Sequence, residues 1–273
     1  MKKVLFFICH FAICQLALSQ SQQSLLGRQL ALGPEINSFD YREGELMNLK
    51  GTMLGAHLEF ANKFKNSSSL WAFRSAFSFK QGQTNYEGSK RNASGFGSTP
   101  YSFNNNQISI LQWDGYAGRF FRIEGTNLII VPMLGLAYYS LFDADDPDPN
   151  DYSREQKYLT TPLRVEARMQ LEGAQDHGIT FFASYHPEAT FRGENLTAGQ
   201  YKYEQKKGSG KTVGINYQWQ QYRLELEYES WEVDTSSTAS MTNTNSAGLV
   251  AQSSSYEPAN ETKMLAVKFS YLF

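Results

Sequence analysis

The chain has little cysteine, no long apolar run and almost no net charge. Its two cysteines, Cys9 and Cys14, lie within the first nineteen residues. If that segment is removed on export, no thiol remains for a disulfide or a thiolate-ligated metal. No stretch reaches the roughly 18 consecutive apolar residues that mark a transmembrane helix. Basic and acidic residues nearly cancel, 25 against 27 for a formal charge of −2, so no bulk cationic excess points to nucleic acid. The four histidines are scattered, and no metal or cofactor is expected.

The chain is instead rich in aromatics, 14% of residues, although its mean hydropathy is polar at −0.46. Lys2 and Lys3 precede an apolar run from Val4 to about Cys14, interrupted at His10, and Ala17-Leu18-Ser19 offers small residues at a cleavage site. Charge, length and site together read as a secretory signal peptide over residues 1–19, leaving a mature domain from 20 to 273. Both cysteines follow isoleucine, which excludes a lipobox, and loss of the two lysines brings the net charge to −4.

Through the remainder the strongest pattern has period two. In YRLELEYES, Tyr222, Leu224, Leu226 and Tyr228 share one face, opposite Arg223, Glu225, Glu227 and Glu229. PLRVEARMQLEG, LWAFRSAFSF and TVGINYQW alternate in the same way. A helix, with period 3.6, would mix these faces. The pattern predicts an all-β chain of about ten strands (eight or twelve being the alternatives) near 27–38, 47–62, 69–82, 106–119, 126–142, 157–172, 178–192, 209–219, 221–234 and 261–273. Gly33-Pro34 weakens the first, the phase of the fourth is unclear, and Pro132 forfeits a ladder bond in the fifth. Short connections (63–68, 120–125, 173–177, 220) alternate strictly with longer polar ones (39–46, 83–105, 143–156, 193–208, 235–260).

Each predicted strand exceeds the roughly 9–11 residues that cross a bilayer at a tilt. Strict turn-and-loop asymmetry belongs to antiparallel up-and-down transmembrane barrels, and an even strand count puts both termini on the periplasmic side. The closing LAVKFSYLF places Leu265, Val267, Phe269, Tyr271 and Phe273 on one face. It resembles the C-terminal assembly signal of Gram-negative outer-membrane β-barrel proteins. That resemblance implies export to the outer membrane, periplasmic chaperones and recognition by the barrel-assembly machinery. It also implies a bilayer and lipopolysaccharide as surroundings, with the barrel expected to be a monomer.

The polar strand faces predict the lumen. They supply Glu59, Arg74, Lys80, Arg164, Glu166, Arg168, Glu172, Glu188, Arg223, Glu225, Glu227, Glu229 and Lys268, together with His57 and His186. Side chains can fill an interior of this strand number, and charges there demand partners, so an ion-pair network in a filled or narrow polar lumen is expected. Omptin proteases have similar size and strand number and are implied to use an Asp pair and an Asp-x-His pair. None of His57, His177 or His186 has Asp two residues before it. His186 and Glu188 share a face and are the acid/base pair such an enzyme would use. GSGKT at 208–212 lacks the first glycine of a phosphate loop, since Gln205 stands there, and no helix follows. The acidic DADDPDPND at 143–151 lacks the glycine and glutamate of a calcium loop.

The expectation is therefore a non-enzymatic barrel serving membrane integrity or surface interaction through its outer loops. A small-solute channel is the alternative, and an outer-membrane hydrolase a more distant one.

Overall fold

The computed structural model describes residues 28–62, 70–91, 98–143, 154–171, 177–197, 201–237, 239–244 and 250–273. The signal segment, Glu172 and most of the acidic stretch, residues 144–153, lie outside them. The strands are β1 (Arg28–Glu43), β2 (Met47–Asn62), β3 (Trp71–Arg91), β4 (Ser98–Arg119), β5 (Phe121–Arg122), β6 (Leu128–Asp143), β7 (Arg154–Thr160) and β8 (Leu163–Gln170). They continue as β9 (His177–His186), β10 (Arg192–Thr197), β11 (Tyr201–Gln205), β12 (Gly208–Trp219), β13 (Tyr222–Val233), β14 (Ala239–Thr244), β15 (Val250–Ser255) and β16 (Asn260–Leu272).

Fourteen of these strands close an antiparallel up-and-down ring of ten, and β14 pairs with β15 in a separate two-stranded sheet. Several ring positions are built from two pieces: β7 and β8 both pair with β6, and β10 pairs with β7 while β9 pairs with β8. The closing seam joins β1 to β16, from Ala31 opposite Leu272 to Arg42 opposite Glu261. The two prolines that weakened the sequence reading sit where pairing lapses. The β1–β16 register skips Gly33 and Pro34, and Pro132 falls between the part of β6 that pairs with β4 and the part that pairs with β5. At Gly33 a Cβ would lie 1.7 Å from the Phe269 carbonyl oxygen, so only glycine permits that approach.

Strands run further than predicted at the loop end. The expected loop 39–46 is a turn at 44–46, with Gly44 in the left-handed region, and most of 83–105 is strand. The reason is a phase switch in the alternation. In β1, Leu32 and Ile36 point outward while Glu35 and Asn37 are buried; beyond Ser38 the buried residues are Phe39 and Tyr41, and Asp40 and Arg42 point out. β13 switches between outward Tyr228 and inward Trp231, and β16 between outward Leu265 and inward Met264. β4 does so between outward Leu111 and inward Ile110, which explains its unclear phase in the sequence. Toward the turns the barrel is inside-out, as lipid demands; toward the loops it is a water-soluble barrel with an apolar interior.

The outward apolar belt on β16 runs from Leu265 to Phe273. At ~3.4 Å per residue and a tilt of about 40° this rises roughly 20 Å, close to the ~25 Å band of membrane barrels. Its turn-end edge is an aromatic girdle in which Trp219, Tyr222, Phe269, Tyr271 and Phe273 form successive ring pairs 4.8–6.1 Å apart. All five residues of the terminal motif point outward into this belt. An arginine replacing Leu226, near mid-belt, is expected to cost about 2–4 kcal/mol of folding free energy in vesicles, against about 0–1 for Ser230→Arg at the upper edge. Urea unfolding midpoints would show the difference, and equal shifts would mean that the belt does not meet lipid.

Candidate functional site

The lumen is stacked in three tiers. The turn-end tier is ionic and is built on shared carboxylates. Glu59 accepts from Arg74 at 3.0 Å through one oxygen and from Arg223 at 2.6 Å through the other. Glu166 likewise binds Arg164 at 2.8 Å and Arg168 at 2.7 Å, and Arg74 also pairs with Asp114. Lys268 bridges Glu225 at 3.2 Å and Glu227 at 2.7 Å. Lys80 approaches Glu35 at 3.9 Å, while Ser78 donates to Glu35 at 2.5 Å. The arginines also lie over rings: Arg164 over Phe182 at 4.2 Å and Arg168 over Phe120 at 5.4 Å. Tyr116, Phe120, Val131 and Met133 form a small apolar cluster beside them.

Above this tier the lumen is apolar. Phe39, Tyr41, Leu49, Met53, Ile108, Ile110, Tyr139, Leu141, Tyr158, Phe191, Trp231, Val233 and Met264 make one buried cluster. Its centre is aromatic: Tyr139 stacks on Tyr158 at 5.4 Å, Tyr158 meets Trp231 at 5.8 Å and Phe191 at 5.2 Å, and Trp231 meets His186 at 4.5 Å. The expectation of a polar lumen is corrected here for the loop half. A wall that faces water on its outside must gain its stability from apolar burial inside. Glu229 sits at the boundary, taking hydrogen bonds from Gln112 at 2.9 Å and from the Trp231 indole. A cavity of about 80 Å³ remains between the ionic tier and this plug, with His57, Glu227 and His186 among its walls.

The third tier caps the plug. Arg154 is buried among Glu43, Glu257 at 3.0 Å and Asp143 at 4.0 Å. Below it Gln156 donates to the Tyr41 hydroxyl at 2.7 Å, Tyr41 donates to Glu43 at 2.7 Å, and Tyr158 donates to Gln156 at 3.0 Å. Glu257 pins the return of the 234–259 connection: its N–H donates to Ser236 Oγ at 2.8 Å, and the Ser236 N–H donates to its carbonyl at 2.9 Å.

Burial pushes the Glu257 carboxyl up to about 7, against the pull of Arg154 and with Glu43 adding to the rise. The docked state thus holds a proton that an undocked chain releases at its ordinary value of 4.5. Docking is favoured most below about pH 4.5, weakens as pH rises and loses this contribution above about 7. Proteinase K should therefore cut 234–259 several-fold faster at pH 8 than at pH 5.5, after correction for the enzyme's own pH profile. Glu257→Gln should flatten that ratio, and an unchanged ratio in the variant would assign the dependence elsewhere.

Among the predicted network residues, Glu59, Arg74, Arg164, Glu166, Arg168, Arg223, Glu225, Glu227, Glu229 and Lys268 all face the lumen. Glu188 does not. It is exposed in a short 3-10 turn, Glu188–Thr190, and its partner is the exposed Lys207 at 3.8 Å. Pro187 breaks the alternation, so Glu188 leaves the face of His186, which is buried against Thr160 at 2.8 Å. Glu35, Asp114, Glu43, Arg154 and Glu257 are lumen residues that the sequence reading did not name. Glu35 follows the Gly33-Pro34 interruption, Asp114 lies in the strand of unclear phase, and the other three fall in expected loops. Among the described residues no group of His, Cys, Asp and Glu is arranged to hold a metal ion.

No family model and no curated protein matches the chain. Among solved structures it resembles the outer membrane protease OmpT from Escherichia coli, with TM-score 0.54 and 12% identity over 91% of this chain and 96% of that one. The β domain of the Bordetella autotransporter BrkA aligns at TM-score 0.39 and 10% identity, covering 88% and 98% of the two chains. Ail of Yersinia pestis aligns at 0.30 and 11%, covering 90% and 98%. The ten-stranded ring, the outward apolar belt and the likeness to OmpT converge: the fold of this chain is that of the bacterial outer-membrane β-barrel proteins.

Proposed function

We propose that this protein is a closed outer-membrane barrel whose work is done at its outer rim, where it engages partners at the cell surface. The observation that carries the reading is the phase switch. It gives the barrel a water-facing upper storey with its own apolar core, a rigid pedestal that holds the loops clear of the lipid. Such a plug obstructs free diffusion through the lumen and stiffens the wall that carries the loops. An enzymatic role finds no support in His186 and Glu188, which point to different environments.

A row of side chains in register marks the upper edge of the belt: Lys211 opposite Ser230, Ser230 opposite Lys263, Lys263 opposite Asp40, and Asp40 opposite Lys50. Three lysines at this height suit the phosphates of lipopolysaccharide, the surrounding lipid that this reading requires.

The test is to replace residues 239–255 with a short Gly-Ser turn and compare bacteria displaying the two forms. The trimmed chain should keep its heat-modifiable gel mobility and the cells their detergent resistance, while adhesion to the surface bound by the full chain is lost. Undiminished adhesion, or solute uptake by liposomes carrying the full chain, would overturn the reading.

A further inference from the structure

The turn end of the lumen opens into a vestibule of about 430 Å³, within the roughly 300–1,000 Å³ of ligand pockets. The apolar tier above makes it blind. From its walls and floor we infer that this vestibule binds a peptide through a free carboxylate.

Four guanidiniums, from Arg74, Arg164, Arg168 and Arg223, line it against three carboxylates, from Glu59, Glu166 and Glu225. Glu59 and Glu166 are each divided between two arginines, and Glu225 is engaged by Lys268. Arg74 has Asp114 besides, whereas Arg164 and Arg168 divide the single carboxylate of Glu166. The guanidinium fork matches a carboxylate in geometry as well as charge. Arg168 is the entry point, its side chain 23% accessible against 5–7% for the other three.

The mouth favours a peptide over a bare anion. Gln29, Gln170, Asn216 and Gln218 stand around it, and Gln29 donates to Gln218 at 3.2 Å. Primary amides both donate and accept, as the N–H and C=O groups of a peptide backbone do.

The inference goes beyond the rim reading and needs only that the vestibule be blind. Conduction would sink that reading without any peptide, and absence of peptide binding would sink this one in a barrel that stays closed. The full chain, refolded in detergent, would be titrated calorimetrically with N-acetyl-trialanine, with its C-terminal amide and with inorganic phosphate. Saturable binding of the free acid is expected, with at least tenfold weaker binding of the amide and no displacement by equimolar phosphate. Arg168→Gln should weaken the acid at least tenfold. Gln218→Ala, which strands no buried charge, should weaken it several-fold and serves where the arginine variant does not fold. No saturable binding, equal affinity for acid and amide, or displacement by phosphate would each overturn the proposal.

Discussion

Replacing Tyr158 and Trp231 together by alanine is expected to make the barrel conduct ions. These two rings join the wall-to-wall aromatic contacts at the narrow centre of the plug, Tyr139–Tyr158, Tyr158–Phe191 and Tyr139–Trp231. Removing both would link the small cavity below with the outer mouth. Each truncation removes a large buried side chain, a change that typically costs about 3–5 kcal/mol, and the costs do not simply add because the rings touch. The ladder of ten paired strands remains to hold the wall, so the variant should keep a heat-modifiable band at a lower unfolding midpoint. In planar bilayers it should give discrete current steps. A folded variant with no current would show that the seal lies elsewhere, in the Arg154 tier above or the ionic tier below.

Glu59→Ala is expected to destabilise the folded barrel by about 3–5 kcal/mol, the usual cost of removing one partner from a buried ion pair. Glu59 serves two arginines at once, with 7% of each arginine side chain accessible. Its loss would leave Arg223 with no carboxylate within salt-bridge distance among the described residues and Arg74 dependent on Asp114. Glu188→Ala, at the exposed turn, is expected to stay within about 0.5 kcal/mol of the parent. Urea titration in vesicles gives both numbers. Equal midpoints for the two variants would mean that the shared carboxylate is not what holds the ionic tier.

The barrel itself was legible because lipid imposes a strict period of two. Tyr222 to Tyr228 and Leu265 to Phe273 read directly as outward faces, and Arg223 to Glu229 as their lumenal counterpart. The upper storey was just as present in the sequence and was missed. Phe39 and Tyr41 are apolar at odd positions, whereas Leu32 and Ile36 are apolar at even ones; under a single period-two rule the change of parity reads as a strand ending in a loop. The same switch between Ile110 and Leu111 left the fourth strand without a clear phase. Two environments on one strand produce this signature, and an assumption of a single solvent hides it. Glu188 failed for a different reason. Alternation carried past Pro187 assigns it inward, but a proline at that position ends the β9 pairing and turns the chain out. The Arg154 cluster could not be read at all, since Glu43, the cross-strand pair Asp143 and Arg154, and Glu257 come from three distant parts of the chain.

The closed lumen is tested most directly by single-channel recording on the unmodified protein, refolded and inserted into a planar bilayer, with insertion verified by heat-modifiable mobility of the same preparation. A filled lumen predicts a flat baseline over a wide voltage range. Stable, discrete current steps from the unmodified chain would contradict it.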